Sequence, residues 1–517
     1  MLQPFRNEPL TDFSVPDNAQ AMRTALNNVR RQLGQTYPLT IGGEQISTSE
    51  TMRSINPGQP SEVVGVLAKA TVEHANQAVE AAAHAFKTWS RTPYEERANY
   101  LFRAAAIMRR QKFEWASWMV YEVSKSWAEA DADVAEAIDF MEYYGREMLR
   151  LGSPQHVVSV VGEDNSLYNI PLGVGVVIPP WNFPLAIMTG MTTAAIVAGN
   201  TVVLKPASTS PVISAQLVKL LNEACHLPAG VLNFVPGPGG SMGDALVDDP
   251  KTRFIAFTGS KEVGLRIFQR AAVRQPGQNW LKRTILEMGG KDAIVVDETA
   301  DLDLAAESIT LSAFGFQGQK CSACSRAIIV DSVYDEVLRR VVERSRALTV
   351  GDTTEQGTYM GAVIDRNAFD KINSYIETGK AEGRVVLGGE RSDPDQGYFI
   401  PPTIVADVPE DGKLACEEIF GPVLAVIRAR DFDHAVEIFN GTEYGLTGGL
   451  ISNDRTRLDR ARKEFHVGNL YLNRKITGAL VGAQPFGGFN MSGTDSKAGG
   501  PDYLLLFTQG KSITERY

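Results

Sequence analysis

The rhythm of apolar and polar positions changes twice along the chain. Residues 1–37 are polar and mixed, and the apolar positions between Ala19 and Leu33 recur at helical spacing, which predicts an N-terminal arm carrying one amphipathic helix. From Glu73 to Leu151 the helical period continues in Ala, Glu and Arg, with helices predicted over His74–Trp89, Glu95–Arg110 and Ala128–Leu149. The period then shortens. Val174–Ile178, Thr201–Leu204, Val231–Val235 and Phe254–Phe257 read as buried strands, with helices Leu185–Ala198 and Pro211–Ala224 between them. Such alternation means βαβ units and a parallel sheet, with ligands expected beyond the carboxyl ends of its strands. Past Lys291 the alternation resumes. Strands are predicted at Ala293–Val296, Ala327–Val330, Val385–Leu387 and Val423–Ile427, and helices at Ala305–Phe314, Val333–Leu348 and Asn367–Glu382. This is a second α/β domain. Tyr503–Gln509 stands apart as a late strand, expected to pair with another domain or another subunit.

Composition narrows the function classes. At about 150 residues per domain, 517 residues make about three domains. Lys and Arg number 51 against 61 Asp and Glu, a net charge of −10, which argues against a nucleic-acid partner. A small anionic substrate remains compatible, because a pocket can differ in sign from the whole. No charge occurs between Asp164 and Lys205, but Pro171, Pro179, Pro180 and Pro184 break that stretch. A spanning helix needs about 20 predominantly apolar residues, so no membrane span is expected. Met1 to Asn7 holds no apolar run of signal-peptide length. The four cysteines, Cys225, Cys321, Cys324 and Cys416, are too few for a disulfide framework and fit a reducing, cytoplasmic setting.

Several short motifs carry candidate chemistry, each with a plainer alternative. The G-x-G-x-x-G fingerprint is absent at Gly173-Val174-Gly175. A looser glycine cluster, Gly237 to Gly243, either approaches a phosphate or makes a tight turn. Within it, Ser241 matches the hydrolase nucleophile elbow, with His434 and His466 downstream. Cys321 and Cys324 form one C-x-x-C, short of the four ligands zinc takes and without the setting of a redox pair; no metal site is expected. The plain reading is two small buried residues; the sharper one is a thiolate nucleophile, favoured by Lys320 and Arg326 as sequence neighbours. Asn182, in Trp181-Asn182-Phe183-Pro184, either donates to an oxyanion or makes a turn. Glu287, before Gly289 and Gly290, is a mobile general base or a solvated charge.

Taken together the motifs resemble the aldehyde dehydrogenase superfamily. The matching segments are Pro180-Trp181-Asn182-Phe183-Pro184, Leu204-Lys205-Pro206-Ala207-Ser208, Phe257-Thr258-Gly259-Ser260, Leu286-Glu287-Met288-Gly289-Gly290-Lys291, Gly318-Gln319-Lys320-Cys321, Glu417 to Pro422 and Pro485-Phe486-Gly487-Gly488. The resemblance covers the chain from about Tyr37. It implies an α/β fold with an atypical Rossmann cofactor domain, a second α/β catalytic domain and a small β oligomerisation element. The corresponding bounds are an arm over 1–37, a cofactor domain over 38–147 and 171–287, a catalytic domain over 288–489, and the oligomerisation element over 148–170 and 490–517. It makes Cys321 the nucleophile, Asn182 with the Cys321 N–H an oxyanion hole, and Glu287 the base that hydrolyses the thioester. Pro180, Trp181, Lys205, Ser208, Gly237, Gly259, Ser260, Glu418 and Phe420 would contact NAD. Ser208 stands where NAD-selective members often carry Glu, so NADP would also be tolerated.

A narrower resemblance rests on Phe5-Arg6-Asn7-Glu8-Pro9, Lys320 to Arg326, and Arg474-Lys475-Ile476-Thr477-Gly478-Ala479 to Gly488. These are similar to the L-glutamate γ-semialdehyde dehydrogenase family, also called the 1-pyrroline-5-carboxylate dehydrogenase family. That likeness implies an amino-acid semialdehyde substrate in proline catabolism. Backbone N–H groups of Gly478 and Ala479, with Ser322, would hold its carboxylate. Glu136 would lie near its ammonium, and Phe183 and Phe486 on its methylenes. It also implies a homo-oligomer and a functional link to a separate proline dehydrogenase. The alternatives are another semialdehyde, an aliphatic aldehyde, or serine hydrolysis through Ser241.

Overall fold

Two seven-stranded sheets form the framework of the computed structural model, which describes residues 3–517. The first runs Arg283–Glu287, Thr252–Thr258, Val174–Ile178, Thr201–Leu204, Leu232–Phe234, Leu39–Ile41 and Glu44–Ile46 from edge to edge. Its first five strands are parallel and the last two join antiparallel. Every residue of Thr201–Leu204 is buried, the uninterrupted apolar pattern of a strand covered on both faces. The chain lays down 174–178, 201–204 and 232–234 in order, then returns to place 252–258 on the other side of 174–178. That reversal is a topological switch point, and a ligand crevice belongs beyond the carboxyl ends of those two strands.

The second sheet runs Arg384–Leu387, Thr403–Ala406, Val423–Ala429, Arg326–Val330, Ala293–Val296, Thr447–Ile451 and Asn469–Leu472. Only its first pairing is antiparallel. A three-stranded sheet joins Gln35–Tyr37, Gln59–Ala68 and Thr51–Asn56, and a separate ribbon pairs Glu163–Pro171 with Thr508–Arg516.

The predicted helices are present as Pro16–Arg30, Val72–Trp89, Tyr94–Arg110 and Trp127–Leu151. The arm helix buries Ala19, Met22, Leu26 and Val29, one stripe of its surface. Thr71 opens Val72–Trp89 with a capping box to His74, and the Ser126 hydroxyl caps Trp127–Leu151. Helix Lys112–Val123 lies inside the helical region expected over Glu73–Leu151, though its own bounds were not marked, because Trp115 to Val123 are all buried and leave no polar face to set a period. Among the described residues, no helix is long and apolar enough to cross a membrane.

Two expectations are corrected. Tyr503–Phe507 is a short 3-10 turn rather than a strand, and the strand starts at Thr508. The apolar run is a plug: Tyr503 stacks on Tyr144 at 5.3 Å and Phe507 meets Phe254 edge-on at 5.4 Å. The strand that follows is largely exposed and polar, and it pairs within its own chain. A short apolar run does not by itself distinguish the two. The helix predicted over Pro211–Ala224 ends as an α-helix at Lys219 and finishes in a π turn, Leu220–Ala224.

Candidate active site

A cleft of about 560 Å³ opens at the switch point of the first sheet. Pro180, Trp181 and Asn182 line it from the carboxyl end of Val174–Ile178, and Gly259 and Ser260 from that of Thr252–Thr258. Lys205 and Ser208 follow the next strand over. Across the cleft, Glu418 and Phe420 close the wall; Phe420 holds φ at 60° and meets Trp181 edge-on at 5.4 Å. Glu418 accepts the Gly290 N–H at 3.0 Å, and a Cβ on Gly289 would stand 2.4 Å from its carboxylate, so that wall requires glycine. Lys205 is buried, which pulls its ammonium down to about 8. Gly237 does not line this cleft. It packs on the Ala70 carbonyl and Met242, while Gly239, Gly240 and Gly243 take the lining positions.

Cys321 lines both this cleft and a second, smaller cavity of about 100 Å³. It follows a turn in which Phe316, Gln317 and Gly318 all have positive φ, 48°, 56° and 66°. Such backbone persists only where its surroundings hold it. Gln317 Nε2 donates to the carbonyls of Ala362 and Ser124 at 2.8 and 3.1 Å, and Gln319 Oε1 accepts the Ile364 N–H at 2.9 Å. Asn182 Nδ2 donates to the Gln319 carbonyl at 2.9 Å, which ties the Trp181–Phe183 segment to the Cys321 loop and leaves one amide hydrogen for a ligand.

The expected thiolate is not what the resting site favours. Burial, then the carboxyls of Asp292, Glu287 and Glu418, push the Cys321 thiol up from its ordinary value. The two cations proposed as helpers are engaged elsewhere. Lys320 pairs with Glu129 at 2.7 Å, and the Arg326 guanidinium donates to the carbonyls of Lys291, Ile438 and Phe439. Cys324 is buried, with its thiol turned to the Arg326 carbonyl.

The smaller cavity gathers the remaining predicted residues. Glu287, Ser322, Gly478 and Ala479 line it, with Glu136, Phe183 and Phe486. Glu287 accepts from the Ser496 hydroxyl at 2.6 Å and from the N–H groups of Ser496 and Gly488, both at 3.3 Å. Burial pushes its carboxyl up to about 7, against those donors. Glu136 is raised to about 8, first by burial and then by Asp133. The N–H groups of Gly478 and Ala479 take no partner among the described residues.

Sequence reasoning missed Ser496 and a buried row of charge. Lys125 is fully buried, pairs with Asp133 at 2.7 Å, and lies over the rings of Phe183 and Phe316 at 4.1 and 4.6 Å. The helical spacing of Glu129, Asp133 and Glu136 was the signal that could have found it. Ser241 is exposed and lies off both cavities; His434 pairs with Glu410 and His466 packs on Phe489, so no hydrolase triad forms. Among the described residues, no cluster of His, Cys, Asp and Glu could hold a metal ion.

The chain is similar to known proteins over its whole length. The profile of the "Aldehyde dehydrogenase family" matches residues 45–513. The 1-pyrroline-5-carboxylate dehydrogenase of Geobacillus kaustophilus is 62% identical over 517 residues, the whole of both chains. A crystal structure of 1-pyrroline-5-carboxylate dehydrogenase from Thermus with bound NAD superposes with a TM-score of 0.98 at 54% identity, again over the whole of both chains. Proline utilization A from Bdellovibrio bacteriovorus, 46% identical with a TM-score of 0.97, matches 99% of this chain across 53% of its own. The chain belongs to the aldehyde dehydrogenase family.

Proposed function

We propose that the protein oxidises L-glutamate γ-semialdehyde, which equilibrates with 1-pyrroline-5-carboxylate, to L-glutamate, with NAD as acceptor. The observation that carries this reading is the position of Cys321 where a long cleft meets a small cavity lined by Gly478 and Ala479. The cleft suits a dinucleotide: it lies at the switch point, and the glycine-lined wall at Glu418 and the buried Lys205 offer polar groups for ribose hydroxyls. The names of the Geobacillus and Thermus relatives support the same substrate, and the NAD bound in the Thermus enzyme supports the same acceptor.

In this reading the bound dinucleotide supplies one thing, acceptance of a hydride. The chain does the rest. Cys321 gives its thiol proton to solvent water as its Sγ bonds the aldehyde carbon, the carbonyl π pair moves to oxygen, and Asn182 Nδ2 with the Cys321 N–H holds the resulting oxyanion. Loss of hydride from that carbon leaves a thioester on sulfur. Glu287 takes a proton from water, the hydroxide adds, and the carbon–sulfur bond breaks to release the carboxylate. Free N–H donors at Gly478 and Ala479, with the Ser322 hydroxyl, receive the α-carboxylate without adding positive charge. Glu136 faces the ammonium, with Phe183 and Phe486 along the methylenes. Ser208 puts no acid near a 2′-phosphate, so NADP serves as a second acceptor. We read the chain as one subunit of a cytoplasmic homo-oligomer, at least a dimer, supplied by a separate proline dehydrogenase. We read its arm as 1–37, its cofactor domain as 38–147 and 171–287, its catalytic domain as 288–489 and its oligomerisation element as 148–170 and 490–517.

The test is NADH formation with 1-pyrroline-5-carboxylate against a panel of simple aldehydes. A higher kcat/KM for an aldehyde without the α-carboxylate overturns the substrate. Cys321→Ala is expected to abolish turnover while NAD binding, followed by calorimetry, persists.

A further inference from the structure

The N-terminal arm reaches the substrate cavity from behind. Residues 7–11 lie on helix Trp127–Leu151, held by two of its carboxylates. Asp131 accepts the Thr11 N–H at 2.8 Å and the Thr11 hydroxyl at 2.6 Å. Asp139 accepts the Glu8 N–H at 2.6 Å and the Asn7 side-chain amide at 2.8 Å. The same Asn7 Nδ2 also donates to the Val481 carbonyl at 3.0 Å. Val481 is buried and lies two residues past Ala479, in the loop whose backbone lines the cavity.

Phe5 completes the contact. Its ring meets Tyr143 edge-on at 5.1 Å, and a Cβ on Gly482, where φ is +78°, would stand 3.1 Å from both rings. The loop is otherwise fastened at its start, where Ile476 N–H donates to Ser312 Oγ at 3.1 Å, at Leu480, whose N–H donates to Gln484 Oε1 at 2.9 Å, and at its end, where Gly482 N–H donates to the Gly499 carbonyl at 2.9 Å. Between those points Gly478 has φ of +75°, and its N–H and that of Ala479 have no partner among the described residues. Donors kept free for a ligand bind tightly only if their loop is ordered beforehand, since ordering it at binding costs affinity.

We infer that Asn7, backed by Phe5, is a positioning residue that sets substrate specificity: it ties Val481 to Asp139 and so holds Gly478 and Ala479 at the depth where they meet the substrate's α-carboxylate. This rests on the carboxylate-binding reading proposed above. Asn7 touches neither Cys321 nor the cleft, so its loss should weaken capture of the carboxylate and leave the chemistry intact.

The test compares the full-length Asn7→Ala variant with the unaltered chain on two substrates, 1-pyrroline-5-carboxylate and propanal, both with NAD. A misplacement of about 1 Å in a positioning group costs up to about 100-fold, so a loss of about ten-fold in kcat/KM for 1-pyrroline-5-carboxylate is expected, mainly in KM. Propanal turnover should change by less than about two-fold, because it has no carboxylate to place. Equal losses on both substrates, or no loss on either, overturn the inference. Should Asn7→Ala fail to fold, Phe5→Ala carries the same comparison with the same outcomes. An unaltered chain that prefers propanal would instead overturn the proposed function, so the two failures read differently.

Discussion

In the proposed mechanism Glu287 is the base that acts on water, and its surroundings suit that step. Burial holds it near pH 7, where a base is half-ready, while the Ser496 hydroxyl and two N–H groups favour its charged form. Removing the hydroxyl in Ser496→Ala takes away a bond to the carboxylate, so the pKa should rise. A hydrogen bond to a charged group contributes about 1.5–3 kcal/mol, and about 1.4 kcal/mol is one pH unit, so a shift of about one unit is expected. In that mechanism the base works deprotonated, so the deacylation rate should fall at pH 7 and recover at higher pH. Stopped-flow NADH bursts across pH check this, and a profile that overlays the unaltered enzyme refutes it. Proton traffic at Glu136 is checked separately. Raised to about 8, its carboxyl is largely protonated at pH 7, and an ammonium placed beside it favours the charged form. Binding of L-glutamate should therefore release a proton, seen as a calorimetric heat that changes with the buffer's ionisation enthalpy. The motifs around Cys321, Asn182 and Glu287 were legible because each is local in sequence. Ser496 was not, because it meets Glu287 from 209 residues away.

At the scale of elements, helix Trp127–Leu151 organises the site. Glu129 holds Lys320 beside Cys321, Asp133 holds Lys125 and accepts the Ala186 N–H at 2.6 Å, and Glu136 reaches the cavity. Burial works against the Glu129 charge, but Lys320, Lys125 and Lys475 together hold its carboxyl below the ordinary range. Cutting Asp133→Ala leaves Lys125 buried without its partner. Breaking such a pair costs about 3–5 kcal/mol, which should appear as a lower urea midpoint, with a smaller loss in Asp133→Asn, where an amide oxygen can still accept from Ala186. An unchanged midpoint in both variants would show that Phe183 and Phe316 alone satisfy the ammonium. The helix itself was readable from its period. The partners of its acidic residues were not, because Lys320, Lys125 and the Ala186 N–H belong to other segments and reach Glu129 and Asp133 only once those pack. Lys112–Val123 fell within the helical region expected over Glu73–Leu151, but its bounds were unmarked because it is buried on nearly every side.

At the scale of the whole molecule, the sheets follow the alternation seen in the sequence, while the apolar pattern alone did not pair Glu163–Pro171 with Thr508–Arg516, and only the family resemblance put 148–170 and 490–517 in one element. Two strands alone are marginal in water, and this pair has open edges flanked by the exposed Val158, Val160 and Val161. We expect light scattering to give a mass at least twice 56.3 kDa, and a chain ending at Phe507 to fall to the monomer mass; a monomer for the full chain refutes this. The same ribbon sets a schedule for synthesis. Glu163–Pro171 leaves the ribosome long before Thr508–Arg516 exists. At about 5–20 residues per second the wait is roughly 20–70 s. Throughout that interval an unpaired edge beside bare valines is open to the equivalent segment of a neighbouring nascent chain on the same message. Slowing translation or crowding the ribosomes therefore raises the yield of tangled chains, whatever the stability of the finished enzyme.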